Sequence, residues 1–205
     1  MNRRDHWQQV YKSKAIDQLG WYAPHLQTSI DWIEKLGLPA DSSIIDIGGG
    51  VSTLVDDLLD AGYRSVTVLD ISETALSIVR ERLGTKSNLI TLLSADITTA
   101  VLPDREYALW HDRAVFHFLT ESSDRIAYRQ NLLRALELNG HVIIGTFAPE
   151  APPRCSGLPV RRYSKEQLVD ELGVEFILVN HAKELHVTPS GVEQMYQFCQ
   201  FRKVV

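Results

Sequence analysis

Cysteine is nearly absent from this chain. Only Cys155 and Cys199 occur in 205 residues, too few for a disulfide framework and without metal-ligand spacing. Both are expected as free thiols in a reducing compartment, and no metal site is expected. Long apolar runs are missing too: none reaches the length of a membrane span. The start, Asn2-Arg3-Arg4-Asp5-His6-Trp7, has no apolar stretch behind it, so a cytoplasmic location without secretory signal or membrane partner is expected. An excess of positive charge is also lacking. With 21 Lys and Arg against 26 Asp and Glu, the net charge is −5, which argues against a nucleic-acid partner. No repeat, low-complexity tract or linker divides the sequence, so residues 1–205 are expected to form one domain. Its 44% hydrophobic and 23% charged residues are ordinary for a soluble globular protein with a real core.

What is present begins with Ser43-Ile44-Ile45-Asp46-Ile47-Gly48-Gly49-Gly50-Val51-Ser52-Thr53, which reads as a buried strand, a glycine loop and a helix start. Glycine is needed where the backbone takes positive φ or approaches a ligand, and open α/β sheets bind ligands outside the carboxyl ends of their strands. Thr53 stands where a dinucleotide fingerprint would carry its third glycine. Asp46 just before the loop suits an ammonium group and a sulfonium better than a pyrophosphate, which points to S-adenosylmethionine rather than a nicotinamide cofactor.

Residues 1–40 read as an N-terminal helical segment. Trp7, Val10 and Tyr11 recur at helical spacing, as do Ile30, Ile33 and Leu36 before Gly37. Between them Trp21-Tyr22, flanked by Gly20 and Pro24, are candidates for a lid over a ligand. Residues 41–205 then alternate strand and helix, predicting right-handed crossovers and a mostly parallel sheet. Strands are expected near 43–47, 65–69, 89–93, 107–111 and 140–146. Helices are expected near 52–61, 73–82 and 124–137, with Gly62, Gly84 and Gly140 as stop signals. Ser72 is a natural N-cap, and Ser164 with Gln167 forms a capping-box pattern before a helix near 165–172. Two last strands, near 174–185 and 194–203, follow without a helix between them, so the final one should run antiparallel. The Pro-rich stretch 148–159 is expected as a long irregular loop walling the substrate side.

Asp46, Asp70 and Asp96 each end or directly follow an apolar strand, so all three should line one edge. The second is placed to accept hydrogen bonds from both ribose hydroxyls and the third from an adenine amino group. Residues 43–147, with the terminal hairpin, resemble the Rossmann-type class I S-adenosylmethionine-dependent methyltransferases. The resemblance implies a doubly wound seven-stranded α/β sheet with an antiparallel last strand. It also implies that Gly48 and Gly50 face the methionine part, that Asp70 meets the ribose and Ile71 the adenine face, and that Asp96 with Ile97 meets the adenine edge. Asp46 would orient the loop and the ammonium. Trp21, Gly49, Ser52, Ser72 and His111 complete the candidate cofactor site. S-adenosylhomocysteine would be the product.

The fourth strand ends in Trp110-His111-Asp112-Arg113-Ala114-Val115-Phe116-His117, facing the sulfonium. An amine or hydroxyl acceptor must lose a proton, which His111, Asp112 or His117 could take, whereas a thiolate or metalloid oxyanion arrives with its lone pair ready. His111, Asp112 and Arg113 are therefore the catalytic candidates, against the simpler expectation that Asp112 and Arg113 pair with each other. This stretch, followed by Asp124-Arg125 and Tyr128, resembles the Trp-Asp-Arg-Gly-Ala region of thiopurine S-methyltransferases. The front half, from Trp21-Tyr22 through Gly49-Gly50-Val51-Ser52-Thr53-Leu54 to Asp70-Ile71-Ser72, is similar to lysine methyltransferases of translation factors. The expected acceptor is a small molecule. Protein lysine is the alternative, and a non-catalytic module that binds the adenosine cofactor is a third reading. Arg154, Arg161 and Arg162, in the loop after the fifth strand, are candidates for an anionic substrate.

Overall fold

The computed structural model describes residues 2–205. Helix α1 (Arg3–Ser13) starts at Asn2, whose side chain accepts the Asp5 N–H at 2.8 Å, and α2 (Gln27–Leu36) stops at Gly37, where φ is +60°. Then come β1 (Ser43–Ile47), α3 (Leu54–Asp60), β2 (Ser65–Asp70), α4 (Glu73–Leu83), β3 (Ile90–Ser94), β4 (Tyr107–Arg113), α5 (Ser122–Ala135) and β5 (Leu136–Phe147). A two-residue ribbon, β6 (Arg154–Cys155) with β7 (Leu158–Pro159), leads to α6 (Lys165–Leu172) and the hairpin of β8 (Phe176–Val187) and β9 (Glu193–Lys203).

One sheet of seven strands runs β3-β2-β1-β4-β5-β9-β8. The first five are mutually parallel, and β9 is antiparallel to both β5 and β8. The last strand of the chain thus lies inside the sheet, and β8 takes the edge. Strand order reverses between β1 and β4, the place where a doubly wound sheet opens a crevice at its carboxyl edge.

Alternation along the strands divides the core. Ile45, Ile47, Trp110, Val142 and Ile144 face α5 and α6, meeting Tyr128, Leu132 and Leu168. Ile44, Leu109, Ile143 and Phe147 face the opposite layer, meeting Trp32, Ile33, Leu54, Leu58, Leu76 and Val79 of α2, α3 and α4. The same period of two separates Asp112 from Arg113, so these neighbours point to opposite faces and cannot pair.

Two sequence expectations need correction. Gly140 is not a helix stop: α5 ends at Ala135, and Gly140 lies inside β5, next to Asn139, which carries the positive φ of 65°. A Cβ on Gly140 would meet the Leu136 side chain at 2.8 Å and the Glu137 carbonyl at 3.0 Å, so the glycine serves an irregularity in the strand. The 148–159 stretch is not wholly irregular, since the β6–β7 ribbon forms within it. Both capping expectations match: Ser72 accepts the Ala75 N–H, and Ser164 with Gln167 closes a capping box. No helix among the described residues is long and apolar enough to cross a membrane.

Candidate active site

The glycine turn is shaped by what surrounds it. Gly48 and Gly50 take φ of +63° and +48°, where a side chain is strained. A Cβ on Gly48 would stand 2.0 Å from Val115 Cγ2, one on Gly49 2.5 Å from Asp46 Oδ2, and one on Gly50 2.4 Å from the Tyr11 hydroxyl. The Gly48 N–H donates to Leu69 O at 2.6 Å. Arg82 of α4 holds the far side, donating to Val51 O at 2.8 Å and Ser52 O at 2.6 Å. The result is a rigid cradle of bare backbone at the switch point of the sheet.

Over this edge lies a cleft. Its floor is Ile47, Gly48, Leu69, Asp70, Ile71, Ala95, Asp96 and Ile97, and its far wall is Arg113, Ala114, Val115, Phe118 and Cys155. The roof is α1, which contributes Arg3, Trp7 and Tyr11, together with Trp21. The Trp7 ring stacks edge-on against Trp21 and Phe118 at 5.6 and 5.1 Å. Polar anchors fasten α1: Gln8 Oε1 accepts from the Ser72 hydroxyl at 2.9 Å and from Thr74 N at 3.1 Å, and Arg3 pairs with Asp96 and Asp124. A second, smaller cleft adjoins the first through Trp21, Gly48 and Arg113, and is lined also by Asp46, Gly49, Ser52 and His111.

Burial tunes the acids of this edge. Asp70 accepts the Ser72 N–H at 2.7 Å, yet its removal from water pushes its pKa up to about 7, and the nearby Asp46 adds to the rise. The Tyr11 hydroxyl is held well above its usual range by burial and by Asp70. Asp96, half-buried, accepts from Thr98 N and its hydroxyl at 2.9 and 2.7 Å.

The profile of a family described as a methyltransferase domain matches residues 44–140. Over this stretch, just under half of the chain, it is similar to that methyltransferase family. Among relatives, the mouse (Mus musculus) eEF1A lysine and N-terminal methyltransferase is 25% identical over 62% of this chain, which spans only 18% of that protein's length. The human (Homo sapiens) EEF1A lysine methyltransferase 2 is 23% identical, covering 87% of this chain and 76% of that protein. In fold it is similar to the Burkholderia thailandensis 1,6-didemethyltoxoflavin-N1-methyltransferase solved with its substrate and S-adenosylhomocysteine. The TM-score there is 0.72 at 17% identity, covering 98% of this chain and 84% of that one.

The sequence candidates fall in different places. Gly48, Asp70, Ile71, Asp96, Ile97, Trp21 and Arg113 line the larger cleft; Asp46, Gly49, Ser52 and His111 line only the smaller. Gly50 lies beneath the Tyr11 hydroxyl, and Ser72 is fully buried under Gln8, so neither faces either cleft.

His111 sits in a buried chain. Its Nδ1 meets Asp46 Oδ1 at 2.7 Å across the β1–β4 pair, and its Nε2 meets the Ser29 hydroxyl of α2 at 2.8 Å. With Ser29 0%, His111 1% and Asp46 2% exposed, this triad-like arrangement is buried at the edge of the smaller cleft and ties α2 to the loop strand. Asp112 is likewise committed: it accepts from Val115 N at 2.8 Å, Phe116 N at 3.2 Å and the Tyr128 hydroxyl at 2.7 Å, with burial raising its pKa to about 6. His117 Nδ1 accepts the Phe147 N–H at 3.1 Å, leaving the proton on Nε2; burial and Arg113 lower its pKa to about 3.

The basic loop is also spent on structure. Arg161 pairs with Glu171 at 3.0 Å, Arg162 braces the carbonyls of Pro149 and Ala151, and Arg154 donates to Gly157 O. None of the three lines the cleft; Arg113 and Arg3 do. The roof residues Arg3, Trp7 and Tyr11 were not among the sequence candidates. Their signal is the pair of aromatics four residues apart, with Val10 between them, on a mostly polar helix.

Proposed function

We propose that this chain is an S-adenosylmethionine-dependent methyltransferase that modifies a small molecule, with residues 1–205 acting as one domain in which the segment 1–40 caps the core 41–205. The observation that carries this reading is the cover over the cleft: α1 and Trp21 roof it, and Cys155 of the β6–β7 ribbon contributes to its far wall. A protein side chain would need an open groove instead. Bound S-adenosylmethionine supplies an electrophilic methyl group whose sulfonium leaves as a neutral thioether. The chain's own residues bind and orient. Asp70 would accept from the ribose hydroxyls, Ile71 and Ile97 would flank the adenine, and Asp96 would meet its amino edge. The bare cradle at Gly48 and Gly49 leaves room for the methionine part, with Asp46 nearby for the ammonium.

His111 and Asp112 act here as positioning residues, since their hydrogen bonds are filled by Asp46, Ser29, Tyr128 and backbone amides. The catalytic power then comes mainly from holding the acceptor in line with the methyl group, not from a strong base.

Lysine methylation is the second reading, favoured by the names of the mouse and human relatives. The two are separated by incubating the protein and methyl-deuterated S-adenosylmethionine with extract of the organism that encodes it, then weighing products by mass spectrometry. Label in the low-molecular-mass fraction is expected. Label confined to protein lysines would overturn the small-molecule reading.

A further inference from the structure

Arginines line the larger cleft at both ends, but only one is neutralised. Arg3 is paired with Asp96 and Asp124, whereas no carboxylate among the described residues lies within ion-pair distance of Arg113. Arg113 is nevertheless held firmly. Its Nη1 donates to Trp21 O at 2.9 Å, and its guanidinium lies over the Tyr196 ring, 4.6 Å from the centroid. The other two nitrogens, Nε and Nη2, are sealed from solvent and find no hydrogen-bond partner. They form one edge of the guanidinium, with parallel N–H bonds spaced to meet the two oxygens of a carboxylate. Desolvated donors left unpaired are costly, so a fixed fork of this kind is complementary to a ligand that brings the anion.

The surroundings indicate whose anion. Arg113 acts electrostatically on His117, His186, Cys155 and Tyr196, which gather round the β4 end, the β8–β9 hairpin and the ribbon. Asp70, at the adenosine end, feels Asp46 instead. Two more buried groups in this corner lack partners, His117 Nε2 and the Tyr196 hydroxyl, whose rings both pack edge-on with Phe147 at 4.6 and 5.1 Å. The approach is walled by Trp7, Trp21 and Phe118.

Resting on the methyltransferase reading of this cleft, we propose that the methyl acceptor is an aromatic or similarly flat molecule bearing a carboxylate, and that Arg113 grips that carboxylate through Nε and Nη2. The same fork repels a cationic lysine. The cofactor's own methionine carboxylate is the other source of this chemistry, because Arg113 also borders the smaller cleft.

Calorimetry on the full chain saturated with S-adenosylhomocysteine separates them, using benzoate and benzamide as probes. Benzoate should bind wild type at least about tenfold more tightly than benzamide, and Arg113→Gln should lose that preference while its affinity for S-adenosylhomocysteine stays within about twofold. Arg113→Lys, which keeps the charge and loses the fork, should fall between. Equal binding of the two probes by wild type, or none, overturns the proposal. So does an Arg113→Gln protein that loses S-adenosylhomocysteine but still binds 5′-methylthioadenosine, which lacks the carboxylate; Arg113 then serves the cofactor. If wild type fails to bind S-adenosylhomocysteine at all, the underlying cofactor reading falls, a separate result. Should Arg113→Gln melt early, the benzoate–benzamide contrast in wild type and the Lys variant still decide.

Discussion

The two ends of the cleft are built by different means. At the adenosine end, Asp70 and Asp96 follow their strands directly, and each accepts the backbone N–H two residues on, at 2.7 Å in Ser72 and 2.9 Å in Thr98. Short turns fix them. At the opposite end, Arg113 and His117, near the end of β4, gather with Cys155 of β6, His186 of β8 and Tyr196 of β9, the last two brought in by the hairpin that adds β9 beside β5. A site held by local turns keeps its chemistry through changes elsewhere, whereas one assembled from distant strands changes with any of them. That contrast fits a constant cofactor at one end and a variable acceptor at the other.

The largest effect is expected where the cradle has no space. Gly48→Val puts a branched side chain at positive φ and against Val115, and should abolish S-adenosylhomocysteine binding in a calorimetric titration. Retained affinity would mean that the glycine cradle is not where the ligand binds. Asp70→Ala comes next: loss of two hydrogen bonds to a charged acceptor should cost about 2–4 kcal/mol of cofactor binding. Acidification probes the same group more gently. Ribose hydroxyls donate to the ionised carboxylate, so with a pKa of about 7 the affinity should fall by about tenfold from pH 8 to pH 6, and Asp70→Asn should flatten that profile. On the free chain the sign is opposite. A carboxyl whose folded pKa is raised takes up protons more readily when folded, so its contribution to stability is present at low pH and lost as pH rises through about 7.

Smaller still is Tyr128→Phe, which leaves the Trp110 indole N–H and one Asp112 oxygen without their shared partner. It should lower unfolding free energy by about 1–3 kcal/mol in urea melts, with S-adenosylhomocysteine affinity unchanged. A loss of binding instead would show that Asp112 acts on the cofactor end. Least of all, Arg161→Ala removes a partly exposed pair with Glu171 and should change stability by no more than about 1 kcal/mol.

How far the sequence could be read follows the same division. The glycine loop, the three strand-end acids and the caps at Ser72 and Ser164 depend on neighbours a few residues away, and their placement was legible. Periodicity of two also contains the separation of Asp112 from Arg113, once both are assigned to one strand. The Asp46–His111–Ser29 chain was not legible, because it needs the β1–β4 register and the docking of α2. Neither was the role of Arg154, Arg161 and Arg162: a run of basic residues looks alike whether it faces a ligand or braces its own loop. Helix α1 hid its part for a related reason. Trp7 and Tyr11 read equally well as core, and only their seat over Gly50 and Phe118 makes them a roof.

The most direct test of the central claim is a crystal structure of the complex with S-adenosylhomocysteine. The account predicts ribose hydroxyls within hydrogen-bond distance of Asp70, adenine between Ile71 and Ile97, and the amino-acid part against Gly48 and Gly49. Adenosine bound at any other edge of the sheet would contradict it.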